Sequence, residues 1–122
     1  MVSILLVDDD DQFLPLLSKV LKHAGYQVRE ATDGQQALRF YESEPTDVVI
    51  TDLVMPGKEG LEMIVELKRS HPKAKIIAMS GAAQEVLGDY LKMAQAFGAQ
   101  RVLAKPFSDQ EILEAISQVL EE

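Results

Sequence analysis

The sequence predicts an α/β fold, a three-layer doubly wound sheet of five parallel strands, made by repeating a βα unit five times. Three observations carry this. Short apolar runs recur along the chain, amphipathic stretches with helical spacing separate them, and most of the runs are continuous rather than alternating. A continuous run is how a strand covered on both faces reads, as in a parallel sheet.

Taken in order, Ile4-Leu5-Leu6-Val7 is the first strand. Phe13, Leu17, Val20, Leu21 and Ala24 then share one helical face, and Gly25 ends that helix. Gln27 to Ala31 is a more polar strand, placed nearer an edge of the sheet. Thr32-Asp33-Gly34-Gln35 fits a capping box, opening a helix that carries Ala37, Leu38 and Tyr41 before Pro45. Val48-Val49-Ile50 is the third strand. Leu61, Ile64, Leu67 and Lys68 follow helical spacing and stop before Pro72. Ile76-Ile77-Ala78-Met79 is the fourth strand, and Leu87, Tyr90, Leu91, Ala94 and Phe97 form the next helical stripe, closed by Gly98. Val102-Leu103-Ala104 is the fifth strand, expected to be covered like the others. Ser108-Asp109-Gln110-Glu111 is a second capping box, and the last helix turns Ile112, Ile116 and Val119 inward.

Composition narrows the function. At 122 residues and 47% hydrophobic, residues 1–122 read as one domain able to bury its own core. Cysteine is absent, which removes disulfides, thiolate metal sites and cysteine nucleophiles. A net charge of −8 argues against direct binding to nucleic acid or to an anionic membrane surface, since both would repel it. The apolar start is too short for a signal-peptide core and lacks a basic leader, so a cytoplasmic location is expected.

Each strongly apolar strand runs into a residue with chemistry: Asp8 and Asp9, Asp52, Ser80, and Lys105. Read singly, a post-strand aspartate is more often a helix cap or a turn residue than a ligand. Read together they share one edge, because the carboxyl ends of parallel strands form the crevice of an open α/β sheet. Three carboxylates there cannot all ionise cheaply without a counter-charge. A hard divalent cation such as Mg²⁺ with oxygen ligands supplies it. Cation, lysine and hydroxyl together suit a transferring phosphoryl group, which is stabilised mainly by positioning and electrostatics.

V-D-D at Val7 to Asp9, T-D-L-V-M-P-G at Thr51 to Gly57, M-S-G-A at Met79 to Ala82 and A-K-P-F at Ala104 to Phe107 give the chain its likeness. In order, spacing and strand-end placement it resembles the response-regulator receiver domain of two-component signalling, over essentially its whole length. The resemblance implies the flavodoxin-like fold in a single-domain form. It implies that Asp52 accepts a phosphoryl group from a phosphohistidine of a histidine kinase or histidine phosphotransfer protein, forming 4-aspartylphosphate. It implies that Asp9 ligates Mg²⁺ directly, Asp8 through a bound water, and Val54 through its backbone carbonyl. Lys105 and Ser80 would each engage a phosphoryl oxygen, with Pro106 following a cis peptide. Asp10 and Asp11 are left to cap the first helix. The expected output is altered binding of a downstream protein partner, with catalysis confined to the chain's own phosphorylation and dephosphorylation.

Some positions depart from that family's pattern. Many receivers carry an aromatic residue three positions before the lysine; here Val102 stands there and has no ring to swing. The segment from Ser80 to Gly98 is about one helical turn longer than the family norm. Val54 and Ala82 offer no group to orient water, so phospho-Asp52 is expected to be long-lived; rapid loss of label from isolated protein would refute this.

The remaining residues need less. His23 and His71 fall near helix C-termini, and Met55, Met63, Met79 and Met93 read as packing residues. Leu14 and Pro15 are open to two readings, an exposed docking spot beside the site or partial burial. A metal-dependent phosphohydrolase with an aspartyl-phosphate intermediate is the alternative function. Haloacid-dehalogenase-type enzymes place a second aspartate two positions after the nucleophile, where this chain has Val54. A flavin-phosphate carrier is disfavoured by the acidic edge, and an EF-hand lacks its glycine and terminal glutamate.

Overall fold

The apolar runs become strands β1 (Ser3–Val7), β2 (Gln27–Ala31), β3 (Val48–Asp52), β4 (Ile76–Ser80) and β5 (Arg101–Ala104). The structure is a computed structural model that describes residues 1–53, 60–81 and 92–122. All strand pairs are parallel, in the order β2-β1-β3-β4-β5. Helices α1 (Phe13–His23), α2 (Gly34–Ser43), α3 (Gly60–Ser70), α4 (92–96) and α5 (Asp109–Leu120) lie between and after them.

Side chains alternate across a strand, and here both faces are covered. Ile4, Leu6, Val48, Ile50, Ile77 and Met79 meet Leu14, Leu17 and Leu21 of α1 and Ile112, Ile116 and Val119 of α5. Leu5, Val7, Val49, Ile76 and Ala78 face the other way, onto Ala37 and Tyr41 of α2, Met63, Ile64 and Leu67 of α3, and Ala94 of α4. Every residue of β3 and β4 is buried. That double coverage is the physical reason for runs without alternation, each large side chain contributing about 1.5–3 kcal/mol on burial.

The edges behave differently. β2 is largely exposed, as its polar sequence predicts. β5 was expected to be covered on both faces, but its residues are half-buried and Ala104 is exposed. It is the other edge strand, with β4 alone as neighbour.

Local details also shift. Leu14 and Ser18 are buried in α1 whereas Ala24 is exposed, so the inward stripe is Leu14, Leu17, Ser18 and Leu21. This settles Leu14 as core and leaves Pro15 and Leu16 outside. The cap of α2 is Asp33, whose side chain accepts from Gln36 N, rather than Thr32 paired with Gln35. Gln36 reaches back instead to Thr32, accepting from its N–H at 2.8 Å. The Ser108–Glu111 capping box of α5 forms as expected. Gly25 and Gly98, at φ +100° and +121°, close α1 and α4. Phe97 and Met93, expected to pack, are 44% and 45% exposed. The stripe positions Leu87, Tyr90 and Leu91, residues 82–91 of the longer segment, and Met55 lie outside the described residues.

Candidate functional site

Strand register builds the site. Val7 pairs with Thr51, so the next residue of each strand, Asp8 and Asp52, arrive side by side. Asp52 pairs with Met79 and Ser80 with Ala104, which sets Lys105 one step beyond. Backbone hydrogen bonds carry the ladder past the strand ends: Asp8 N to Ala31 O, Leu53 N to Met79 O and Lys105 N to Ser80 O, at 3.1, 3.0 and 2.8 Å. Five sequence-predicted residues thereby meet at one sheet edge, and the backbone around them is paired.

Asp8 is fully buried. Its Oδ1 accepts from Asp10 N at 3.0 Å and its Oδ2 from Lys105 Nζ at 2.7 Å. Asp52 is 8% exposed; its Oδ1 accepts from Leu53 N at 2.9 Å and its Oδ2 lies 3.7 Å from Lys105 Nζ. Asp9 is exposed, and Asp8, Asp9 and Asp52 each offer a carboxylate oxygen within 4.8 Å of the others. Burial pushes the Asp52 carboxyl up to about 6. The Lys105 ammonium opposes that shift, while the charges on Asp8 and Asp9 add to it. Ser80 is fully buried, and the peptide joining Lys105 to Pro106 is cis.

The run of four aspartates divides by role. Asp8 and Asp9 enter the cluster, while Asp10 Oδ1 accepts from Gln12 N and Phe13 N at 2.9 and 3.1 Å and caps α1. Those two hydrogen bonds hold the Asp10 carboxyl below its ordinary range. Asp11, expected to share the capping, is exposed and makes no cap bond among the described residues. Val54 and Ala82 lie outside the described residues.

Three features escaped the sequence reading. Lys105 sits on Asp8, so part of the counter-charge is internal to the chain. Its ammonium also lies 4.2 Å from the Phe13 ring centroid, and Phe13 meets Phe107 edge-on at 6.0 Å. Gly60, at the head of α3, approaches the end of β3 so closely that a Cβ there would overlap the Asp52 carbonyl oxygen. The available signal for Gly60 was a second glycine three residues after Gly57, just before a helical stripe.

With this geometry in view, the comparisons decide the family. A model of the response regulator receiver domain matches residues 4–117. The chain belongs to the response regulator receiver domain family. It is 33% identical to the chemotaxis protein CheY of Thermotoga maritima over 95% of this chain and 95% of that protein. It is 36% identical to the transcriptional regulatory protein CpxR of Klebsiella pneumoniae over 98% of this chain, and spans only 50% of CpxR. Among solved structures it matches the response regulator TrrA of Thermotoga maritima, crystallised in complex with Mg²⁺-BeF. That match has a TM-score of 0.86 at 32% identity, covering 98% of this chain and 99% of that one. Receivers of this kind work with kinases and downstream effectors in two-component signalling. The aspartate cluster of this receiver could hold a metal ion. No described helix is long and apolar enough to cross a membrane.

Proposed function

We propose that this receiver takes a phosphoryl group onto Asp52 from a phosphohistidine of a histidine kinase or histidine phosphotransfer protein, with Mg²⁺ as cofactor, and that the modified form binds a downstream protein differently. The P–N bond to imidazole breaks as a P–O bond to Asp52 forms, and the departing ring nitrogen takes up a proton. The observation that carries this is the asymmetry of the Asp52 carboxylate. Oδ1 is held by the Leu53 N–H, while Oδ2 faces Lys105 at 3.7 Å, beyond hydrogen-bond reach. Oδ2 is therefore the attacking oxygen, and Lys105 stands beside the position an incoming phosphoryl oxygen would take.

The donor set fits Mg²⁺, which takes hard oxygen ligands and one or two carboxylates while keeping several waters. Asp9, exposed at the mouth of the cluster, would hold the ion together with Asp52. Asp8, already bonded to Lys105 and Asp10 N, would assist through a bound water. Bound there, Mg²⁺ supplies positive charge to the oxygens of the transferring group. Val54 would add its carbonyl. TrrA holds Mg²⁺-BeF, and the aspartate cluster supports the same pairing of metal and phosphoryl mimic in this chain.

Ser80 would hydrogen-bond a second phosphoryl oxygen and report phosphorylation through its strand end, because Val102 is a half-buried valine with no ring to reorient. The chain would act on its own Asp52 and on no external substrate, in the cytoplasm. The test is intact mass after incubation with Mg²⁺ and acetyl phosphate. One phosphate adduct that Asp52→Asn abolishes supports the reading; turnover of external phosphoesters without an adduct would contradict it.

A further inference from the structure

The Lys105 side chain is held on several sides. Asp8 Oδ2 accepts one of its three N–H donors at 2.7 Å, and Asp52 Oδ2 stands 3.7 Å away. Along its stem lies Gly81, where even a Cβ would come within 3.5 Å of Lys105 Cδ. On the remaining side, at the first residue of α1, the Phe13 ring faces the ammonium at 4.2 Å from its centroid. Phe107 braces that ring edge-on, at 90° and 6.0 Å. Phe13 is anchored through its backbone too, donating its N–H to Asp10 Oδ1.

An aromatic face attracts an ammonium electrostatically without accepting a strong hydrogen bond. It thus confines the group and excludes water while leaving donors uncommitted. A carboxylate in the same place would capture Lys105, and an aliphatic side chain would offer the ammonium no electrostatic attraction. We propose that Phe13 is a positioning residue for phosphorylation of Asp52, its ring face fixing the Lys105 ammonium between Asp8 and Asp52 so that the charge is in place before the phosphoryl group arrives. The inference rests on the reading of Asp52 as phosphoacceptor. It explains why Phe13, braced by Phe107, faces a lysine that already has an aspartate partner.

The test compares Phe13→Leu and Phe13→Tyr in initial rates of phosphorylation across a range of acetyl phosphate concentrations with Mg²⁺. Phe13→Leu should lower the maximal rate about threefold to tenfold, the range expected for one partly exposed cation–π contact, with half-saturating donor changed less than about twofold. Phe13→Tyr, which keeps the ring, should stay within about twofold of the wild type. A second readout is independent of the reaction. In the unphosphorylated wild type and in Phe13→Tyr, the Lys105 ε-methylene protons should be shifted upfield by the ring current, and in Phe13→Leu they should not. Should Phe13→Leu fail to fold, Phe13→Met is equally ringless and gives the same readouts. A ringless variant with the wild-type maximal rate, or an unshifted Lys105 methylene in the wild type, overturns the inference alone. A wild type that takes up no phosphate overturns the reading of Asp52 and this inference with it.

Discussion

The two ends of the sheet treat charge in opposite ways. At the amino ends of the strands, polar groups are matched to partners. Asp47 Oδ2 accepts from Ser3 N at 2.8 Å, Arg101 pairs with Glu122 at 2.8 Å, and Lys75 Nζ donates to Glu122 O at 2.8 Å. Gln100 bridges β4 by accepting from Ile76 N and donating to Ala74 O. At the carboxyl ends, three carboxylates converge, and among the described residues Lys105 is placed against two of them, Asp8 and Asp52. One end is balanced and the other is left negative. The same backbone geometry produces both, so the imbalance comes from side-chain choice, and it marks the end where a metal ion could be held.

Removing cations from the two ends should break this contrast most visibly. Lys105→Met strands the fully buried Asp8, and removing one partner of a buried pair costs about 3–5 kcal/mol. Arg101→Met removes half of a pair whose side chains are 36% and 41% exposed, and should cost about 0–1 kcal/mol. Urea unfolding at pH 7 without divalent ions checks both, and equal losses would show that the ends do not differ.

Protonation sharpens the comparison further. The folded pKa of Asp52, about 6, lies above the unfolded value near 3.8, so between them the folded state holds the proton more tightly. A raised carboxylate pKa makes stability fall as pH rises through that window, by on the order of 3 kcal/mol at most. Metal-free wild type should therefore lose stability from about pH 4 to pH 7 relative to Asp52→Asn, in which this contribution is absent. Denaturation midpoints across pH for the two proteins measure it. Parallel curves would mean that the carboxylate is not strained by its burial.

A smaller effect is expected from backbone crowding at the same end. Gly60→Ala forces a Cβ into the Asp52 carbonyl, and overpacking of this kind typically costs about 1–3 kcal/mol. The shift of β3 that relieves it should also slow phosphorylation of Asp52. Asp47→Asn, at the balanced end, should leave phosphorylation unchanged.

Much of this was legible in the sequence, for identifiable reasons. β1, β3 and β4 are buried on both faces, and double burial writes itself as Ile4-Leu5-Leu6-Val7 without alternation. Asp8, Asp9, Asp52, Ser80 and Lys105 could be gathered because parallel strands deliver their ends to one edge. β5 misled because Val102-Leu103-Ala104 is apolar, while its exposure is decided by its place at the edge of the strand order. The Lys105–Asp8 pair spans 97 residues of sequence and depends on side-chain reach, which no local pattern encodes. Phe13 reads as a core position by helical spacing, yet it sits at the half-buried head of α1 with its ring against the lysine. Gly60 shows its purpose only once the end of β3 is seen beside it.

The carboxyl edge of the sheet is short of positive charge, and a magnesium titration reads out that shortage. The thermal midpoint of the wild type at pH 7 should rise saturably with Mg²⁺ at constant ionic strength, because a ligand of the folded state alone stabilises it by mass action. Asp9→Asn and Asp52→Asn should abolish most of that rise. A wild-type midpoint indifferent to Mg²⁺, or variants that respond as the wild type does, would contradict the account.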